Sequence, residues 1–333
     1  MSTKKLIVIL GATGNQGGSV AQAFLQEPEW RVRAVTRNPS SAKAQALAAY
    51  GVEVVQGDLD SPSTLSLAFE NANAIFAVSD FWGLYGDPAN AAKAKDQPLN
   101  VWAANYETEQ LKGVIDAAAK VPTLERFVLS SLSNATKWSK GKYTQVYHFD
   151  SKAKAEEYGR KTYPELWKKT SVFQAGFFLS NFVSNPIMQP QITANGVAQF
   201  VGHLDPDLKL PFIAAEEDTG LIVRALVKEP AGKNVIGYRE WSSLRGLSEA
   251  FTEATGVKAE CIMLNKGESN IPLPPDLDRE MEDNWSYCNE FGYEGRDDPT
   301  IVHPKDLDSV PRLDNMVNYF KKQDWSKVLA QDK

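Results

Sequence analysis

Three glycines spaced three apart, in Gly11-Ala12-Thr13-Gly14-Asn15-Gln16-Gly17, follow directly on the apolar run Leu6–Leu10 and open a helix-like segment. Small residues at such a junction permit a tight strand-to-helix turn. They also let the backbone approach a pyrophosphate, whose charge then rests on the unpaired N–H groups at the helix N-terminus. A glycine pattern alone is weak evidence, because any α/β protein can use one in a turn. Its weight here comes from its position, after a strand-like run and with further strand–helix pairs behind it. The second apolar run ends at Val35-Thr36-Arg37-Asn38. An NAD site wants an acid there to accept from the ribose 2′-hydroxyl, and this chain has none. A guanidinium suits a 2′-phosphate, so Arg37 argues for NADP(H) over NAD(H); the alternative is a solvated loop cation. Gln56-Gly57-Asp58-Leu59 closes the third run. There Asp58 could accept from an adenine amine, or simply shape a turn.

The elements that must position these groups alternate. Leu6–Leu10, Val32–Val35, Val52–Val55, Ala74–Val78, Arg126–Leu129 and Ser171–Phe173 read as strands. Ser19–Gln26, Ala42–Tyr50, Ser63–Glu70 and Glu107–Lys120 read as helices between them. That order predicts an α/β fold with a doubly wound parallel Rossmann sheet. Phe81 to Tyr106, with glycines and prolines among aromatics, reads as an inserted loop. Past residue 183 prolines break the rhythm, at Pro186, Pro190, Pro206, Pro211 and Pro272-Leu273-Pro274-Pro275. Asp276–Glu290 is acidic and predicted helical, and Asn315–Phe320 begins a short amphipathic stretch. The expected division is a dinucleotide-binding domain over 1–183 and a smaller, irregular α+β lobe over 184–333. Segments such as 218–245 are candidates to return to the first.

Composition narrows the class. Of 333 residues 43% are hydrophobic, too many for a disordered chain. Against 36 Lys and Arg stand 42 Asp and Glu, a net charge of −6 that argues against capture of nucleic acid; no DNA-binding motif is visible. Cys261 and Cys288 form no Cys-x-x-Cys pair, and the histidines are scattered at 148, 203 and 303. Neither a disulfide framework nor a metal site is expected. The apolar run behind Lys4 and Lys5 is too short for a secretory signal, and nothing approaches the ~18 to 20 apolar residues of a membrane span. The expectation is a protein of the cytoplasm, with the nucleus as a further compartment.

Leu10–Val20, Thr36-Arg37-Asn38-Pro39 and Val54–Asp58 together resemble the NmrA-like family of atypical short-chain dehydrogenase/reductase folds. The likeness continues through His148–Tyr158, Gln174–Phe182 and Pro206–Asp218, and the phrase order is most similar to fungal members. The resemblance implies that Gly11, Ala12, Thr13, Gly14, Asn15, Gln16 and Gly17 hold the pyrophosphate, with Arg37, Asn38 and Ser41 around the 2′-phosphate. It implies Asp58 and Leu59 at the adenine, and Ser79, Asp80 and Phe81 beside the ribose. Gly176, Phe177 and Phe178 are then near the nicotinamide amide.

Reductases of this superfamily use a tyrosine to protonate substrate and a lysine four residues on, one helical turn away. Here those positions hold His148 and Lys152, on a helix expected to open near Ser151. Three readings stay open: Lys152 transfers the proton, His148 replaces the tyrosine, or Lys152 only binds cofactor and nothing is catalysed. Ser130 and Ser131 stand where these folds polarise a substrate carbonyl, or else they cap the strand end. Phe81, Trp82, Tyr85 and Trp102, with Trp285, Tyr287, Phe291 and Tyr293, either wall a pocket for an apolar or aromatic substrate or pack a core. The resemblance therefore implies an NADP(H)-dependent reductase of a carbonyl, imine or activated double bond. Its rival is an NADP(H)-sensing regulator that binds a protein partner. A homodimer is compatible with either.

Overall fold

The computed structural model describes residues 4–268 and 271–329. Six strands lie in the first part of the chain: β1 (Lys5–Leu10), β2 (Trp30–Thr36), β3 (Glu53–Gln56), β4 (Ala74–Ala77), β5 (Arg126–Ser131) and β6 (Thr170–Ala175). Nine helices are interleaved with them: α1 (Asn15–Leu25), α2 (Ala42–Ala49), α3 (Pro62–Ala68), α4 (Phe81–Gly86), α5 (Ala91–Ala94), α6 (Leu99–Ala118), α7 (Ala135–Trp138), α8 (Tyr147–Thr162) and α9 (Pro164–Trp167). The rest of the chain adds the strands β7 (Phe177–Phe178), β8 (Gln191–Ile192), β9 (Ala198–Gly202), β10 (Lys209–Ile213), β11 (Asn234–Gly237), β12 (Glu240–Ser243), β13 (Ala259–Met263) and β14 (Ile301–Val302). Its helices are α10 (Asn181–Ser184), α11 (Ala215–Lys228), α12 (Leu244–Thr255), α13 (Pro275–Phe291), α14 (Met316–Lys321) and α15 (Ser326–Leu329).

The central sheet is parallel throughout, in the order β14-β11-β6-β5-β4-β1-β2-β3. Within it β1 is buried on both faces, as its apolar run requires. Ile7 and Ile9 enter the core beneath α1 and α11, while Leu6, Val8 and Leu10 enter the opposite one beneath α3 and α6. The chain leaves β1 outward through β2 and β3 on one side and through β4, β5 and β6 on the other. The crevice at the carboxyl ends of β1 and β4 is therefore the topological switch point, where ligands of open α/β sheets bind. β11 and β14 return from late in the chain to extend the β6 edge, and Gly220 N–H of α11 donates to Ser19 Oγ of α1 at 2.9 Å. Two small sheets, β12-β10-β7 and β13-β9-β8, surround a third core that includes Phe182, Phe200, Phe212, Phe251 and Tyr287. Among the described residues no helix is long and apolar enough to cross a membrane.

Two local expectations are corrected. Phe81 to Tyr106 is mostly helical: α4 and α5 precede α6, which begins at Leu99 rather than Glu107. Of the residues that suggested a loop, Gly83 and Gly86 lie within α4, and Pro88 and Pro98 stand at helix starts where aspartates also cap. Asp80 accepts from Gly83 N–H, Asp87 accepts from Ala89 N–H, and Pro98 precedes the first turn of α6. Phe81, Trp102, Ala103 and Ala104 then close a small core of their own. The helix that carries Lys152 opens at Tyr147, not near Ser151. The reason lies in α13, whose Glu280 accepts from His148 N–H.

Candidate functional site

The glycine turn is built to leave donors free. Gly14 N–H donates to Gly11 O and Gly18 N–H to Gly14 O, both at 2.9 Å, so the amides of Asn15, Gln16 and Gly17 precede the first bond of α1. Gly14 at the N-cap offers no side chain to them, and the first turn holds no acid. Gly11 has φ +63°, and a Cβ there would stand 2.8 Å from Val78 Cγ1 at the end of β4. A Cβ on Gly17 would overlap Gly11 O. The turn is thus a cradle for an anion, with the helix dipole behind it.

Around this cradle runs a cleft of about 1200 Å³. Gly11, Thr13, Gly14, Asn15, Gln16, Gly17, Arg37, Asp58, Leu59, Ser79, Asp80 and Phe81 line it at the sheet end. Ser130, Ser131, His148, Lys152, Gly176, Phe177 and Phe178 line it further in. Ala12 is buried in the core, and Asn38 and Ser41 stand outside the wall. Asn38 Oδ1 accepts from Ser40 N–H, and Ser41 Oγ caps α2 by accepting from Ala44 N–H. Arg37 is exposed, and its guanidinium makes no ion pair among the described residues. Asp58 shapes its own corner by accepting from Asp60 N–H at 3.1 Å while still facing the cleft. Ser130 Oγ donates to Gln16 Oε1 at 2.8 Å, tying the end of β5 to the turn.

α8 brings two candidate proton carriers to the middle of the cleft. Lys152 Nζ donates to both oxygens of Glu107, at 2.8 and 2.9 Å, and to His148 O at 3.1 Å. Glu107 is fully buried on α6 and also accepts from Ser79 Oγ, at 2.7 Å, and from Ser151 Oγ. One turn before the lysine, His148 Nδ1 lies 2.6 Å from Glu280 Oε1. The same oxygen accepts from His148 N–H at 2.9 Å, and Oε2 accepts from Asn100 Nδ2 at 3.0 Å. Glu280 is fully buried and comes from α13. It caps α8 from a distant part of the chain, which is why that helix opens at Tyr147 without a capping side chain of its own.

Neither Glu107 nor Glu280 is singled out by the sequence. Glu107 is one of two acids in Ala103–Leu111, beside Glu109, and Glu280 is one of several on an acidic predicted helix. The tyrosines near the cleft do not replace the missing phenol. Burial, with Asp276 beside it, pushes Tyr85 up to about 12, and burial also raises Tyr147 and Tyr293. None is activated as a proton donor near neutrality.

The aromatic residues divide. Phe81, Trp82, Tyr85, Trp285 and Tyr293 line the cleft. Trp102 packs on Tyr106, and Tyr287 is buried with its hydroxyl 2.5 Å from Ser133 Oγ, so these two are core; Phe291 stacks on Tyr287 away from the cleft. His203, which the sequence did not single out as a site residue, stacks on Trp285 with ring centroids 4.3 Å apart. Trp82, Met188, Ile262, Met281 and Trp285 give this end of the cleft an apolar wall.

The model of the NmrA-like family matches residues 3–316. The NmrA-like family domain-containing oxidoreductase cpsB of Aspergillus campestris is 30% identical over 270 residues, covering 77% of this chain and 74% of that protein. The oxidoreductase hkm9 of Aspergillus hancockii, similarly described, is 30% identical over 282 residues, 80% of this chain and 78% of its own. Among solved structures, NmrA, a negative transcriptional regulator, in complex with NADP superposes with a TM-score of 0.72 at 21% identity, over 96% of this chain and 95% of that one. The NADPH-dependent quinone oxidoreductase QOR2 of Escherichia coli, complexed with NADPH, gives 0.64 at 19% identity, over 94% and 98%. With its parallel sheet, its glycine turn and a family match over nearly the whole length, the chain belongs to the NmrA-like family.

Proposed function

We propose that this protein is an NADP(H)-dependent oxidoreductase that reduces a carbonyl, imine or activated double bond of a small apolar or aromatic molecule. The observation that carries this reading is the continuity of one cleft. Free amides and Arg37 lie at one end, His148 and Lys152 in the middle, and an apolar, tryptophan-lined chamber at the other. A volume of about 1200 Å³ exceeds that of a single small-ligand site, so a dinucleotide and a substrate fit together. The descriptions of the Aspergillus relatives as oxidoreductases support it, as do the dinucleotides bound in the solved neighbours.

The chain's residues fit the cofactor. The amides of Asn15, Gln16 and Gly17 would take the pyrophosphate, Arg37 the 2′-phosphate, Asp58 the adenine, and Lys152 with Ser79 the nicotinamide ribose. Bound there, the nicotinamide supplies a hydride, and the protein must supply a proton and keep water out. A cofactor-sensing regulator is the second reading, favoured by a histidine at the superfamily's tyrosine position and by the regulatory neighbour. NADPH consumption with acetophenone, trans-chalcone and N-benzylideneaniline separates the two: turnover of any one supports the reductase, and binding of NADPH without turnover supports the sensor.

A further inference from the structure

We infer that His148 is the proton donor of the reaction, and that Glu280, from α13, is the residue that positions it. The inference rests on the reductase reading and names the group that completes it.

Hydrogen-bond capacity fixes the state of the ring. Glu280 is fully buried, and its surroundings are donors: the His148 N–H, Asn100 Nδ2 and the imidazole. An ionised carboxylate only accepts, so the ring nitrogen 2.6 Å away carries a hydrogen and the neutral ring is the Nδ1–H tautomer. Nε2 is then left as the group that exchanges protons, and it has no hydrogen-bond partner among the described residues. The ring lies against Trp82, at 4.9 Å, and Phe81, at 5.8 Å, both of which line the cleft as His148 does. A carboxylate that fixes the tautomer and stabilises the imidazolium is the arrangement that makes a histidine an efficient acid and base.

Lys152 is placed differently. Its ammonium is paired with the buried Glu107 carboxylate, whose two oxygens share one N–H, and a second N–H goes to His148 O, so the remaining one serves the cofactor ribose. It holds the backbone of the histidine and is a positioning residue.

The step balances for a carbonyl. The reacting ring is the imidazolium, whose Nε2 proton comes from solvent hydronium; with a dinucleotide bound to supply hydride to the carbon, the π pair would pass to oxygen and the new O–H bond would form as Nε2–H breaks. The ring would return to the neutral Nδ1–H form against Glu280, and hydronium would protonate Nε2 again.

Two measurements test this, one independent of turnover. In protein labelled with ¹⁵N-histidine, the long-range ¹H–¹⁵N spectrum contains three rings, and His148→Phe identifies the one in question. The neutral ring is expected as a single Nδ1–H tautomer, with that proton far downfield in the wild type and shifted upfield in Glu280→Gln. An Nε2–H tautomer, or a rapid mixture, would overturn the pairing. In kinetics with NADPH and trans-chalcone, acetophenone or N-benzylideneaniline, His148→Phe and Glu280→Gln should each lower kcat by on the order of 10² or more. KM and NADPH affinity should change little. Loss of kcat in Lys152→Met with retention in His148→Phe would overturn the assignment while leaving the reductase reading intact. A wild-type protein that binds NADPH yet reduces none of the three would instead overturn the reductase reading and the donor role with it, whatever the tautomer.

Discussion

Both oxygens of the buried Glu107 carboxylate hold the Lys152 ammonium, at 2.8 and 2.9 Å. The pair joins α6 to α8 beneath the cleft, and Ser79 Oγ at the end of β4 donates to the same carboxylate. The lysine that a reductase of this superfamily aims at the cofactor is thus part of a four-residue network of Ser79, Glu107, Ser151 and Lys152. Its charge is matched within the protein.

Lys152→Met should therefore show up first in stability. Removing one partner of a buried ion pair costs about 3 to 5 kcal/mol, and the serine hydroxyls left on Glu107 place this case at the lower end. Adding Glu107→Gln should recover much of the loss, because no uncompensated charge remains. Urea denaturation of the single and double variants checks this. A single variant as stable as the wild type would contradict the pairing. At saturating NADPH its turnover should stay within roughly tenfold of the wild type, well short of the 10² to 10⁴ expected for a lost proton donor.

Arg37→Ala addresses cofactor choice. Losing a charge-assisted bond to a 2′-phosphate costs about 1.5 to 3 kcal/mol, so NADPH should bind at least tenfold more weakly while NADH is nearly unaffected. Calorimetric titration of both dinucleotides decides it. Equal losses for the two would remove Arg37 from the phosphate site.

Gly14→Val tests the cradle. An added Cβ would stand 3.3 Å from Gly11 O, close enough to crowd the turn without breaking the sheet beneath it. The branched side chain should block the approach of a pyrophosphate and abolish binding of either dinucleotide, with circular dichroism unchanged. A folded valine variant that binds NADPH normally would contradict the assignment.

The local parts of this design are legible in the sequence and the distant ones are not. β1 and its turn can be read because an apolar run, three glycines and a helix are consecutive in the chain. Glu107 and Glu280 cannot, because each acts on a residue 45 or 132 positions away, and nothing near either acid marks it as buried. The same distance hides the start of α8, whose cap is the Glu280 side chain rather than a neighbouring serine or aspartate. The prolines and glycines between Phe81 and Tyr106 mislead for another reason. Gly86, Pro88 and Pro98 sit at helix ends, where they are tolerated, and α4 and α5 are too short to show a clear period. Which aromatics face the cleft is likewise settled by packing: Trp285 and Tyr287 are two residues apart on α13, yet one is wall and the other core.

That division makes a prediction about the apolar end. Trp285→Ala removes the shelf on which His203 stacks, so KM for trans-chalcone should rise about tenfold, or ~1.4 kcal/mol, with NADPH affinity unchanged. Steady-state kinetics paired with dinucleotide titration separates the two effects. An unchanged KM would place the substrate elsewhere.

The most direct measurement is the fate of the hydride. The protein is incubated with NADPH deuterated at the nicotinamide C4 and with each of acetophenone, trans-chalcone and N-benzylideneaniline, and the products are analysed by mass spectrometry. The account predicts a reduced product that carries one deuteron from one face of the nicotinamide only. NADPH that binds and is never consumed, or that is oxidised without deuterium in any product, would contradict it.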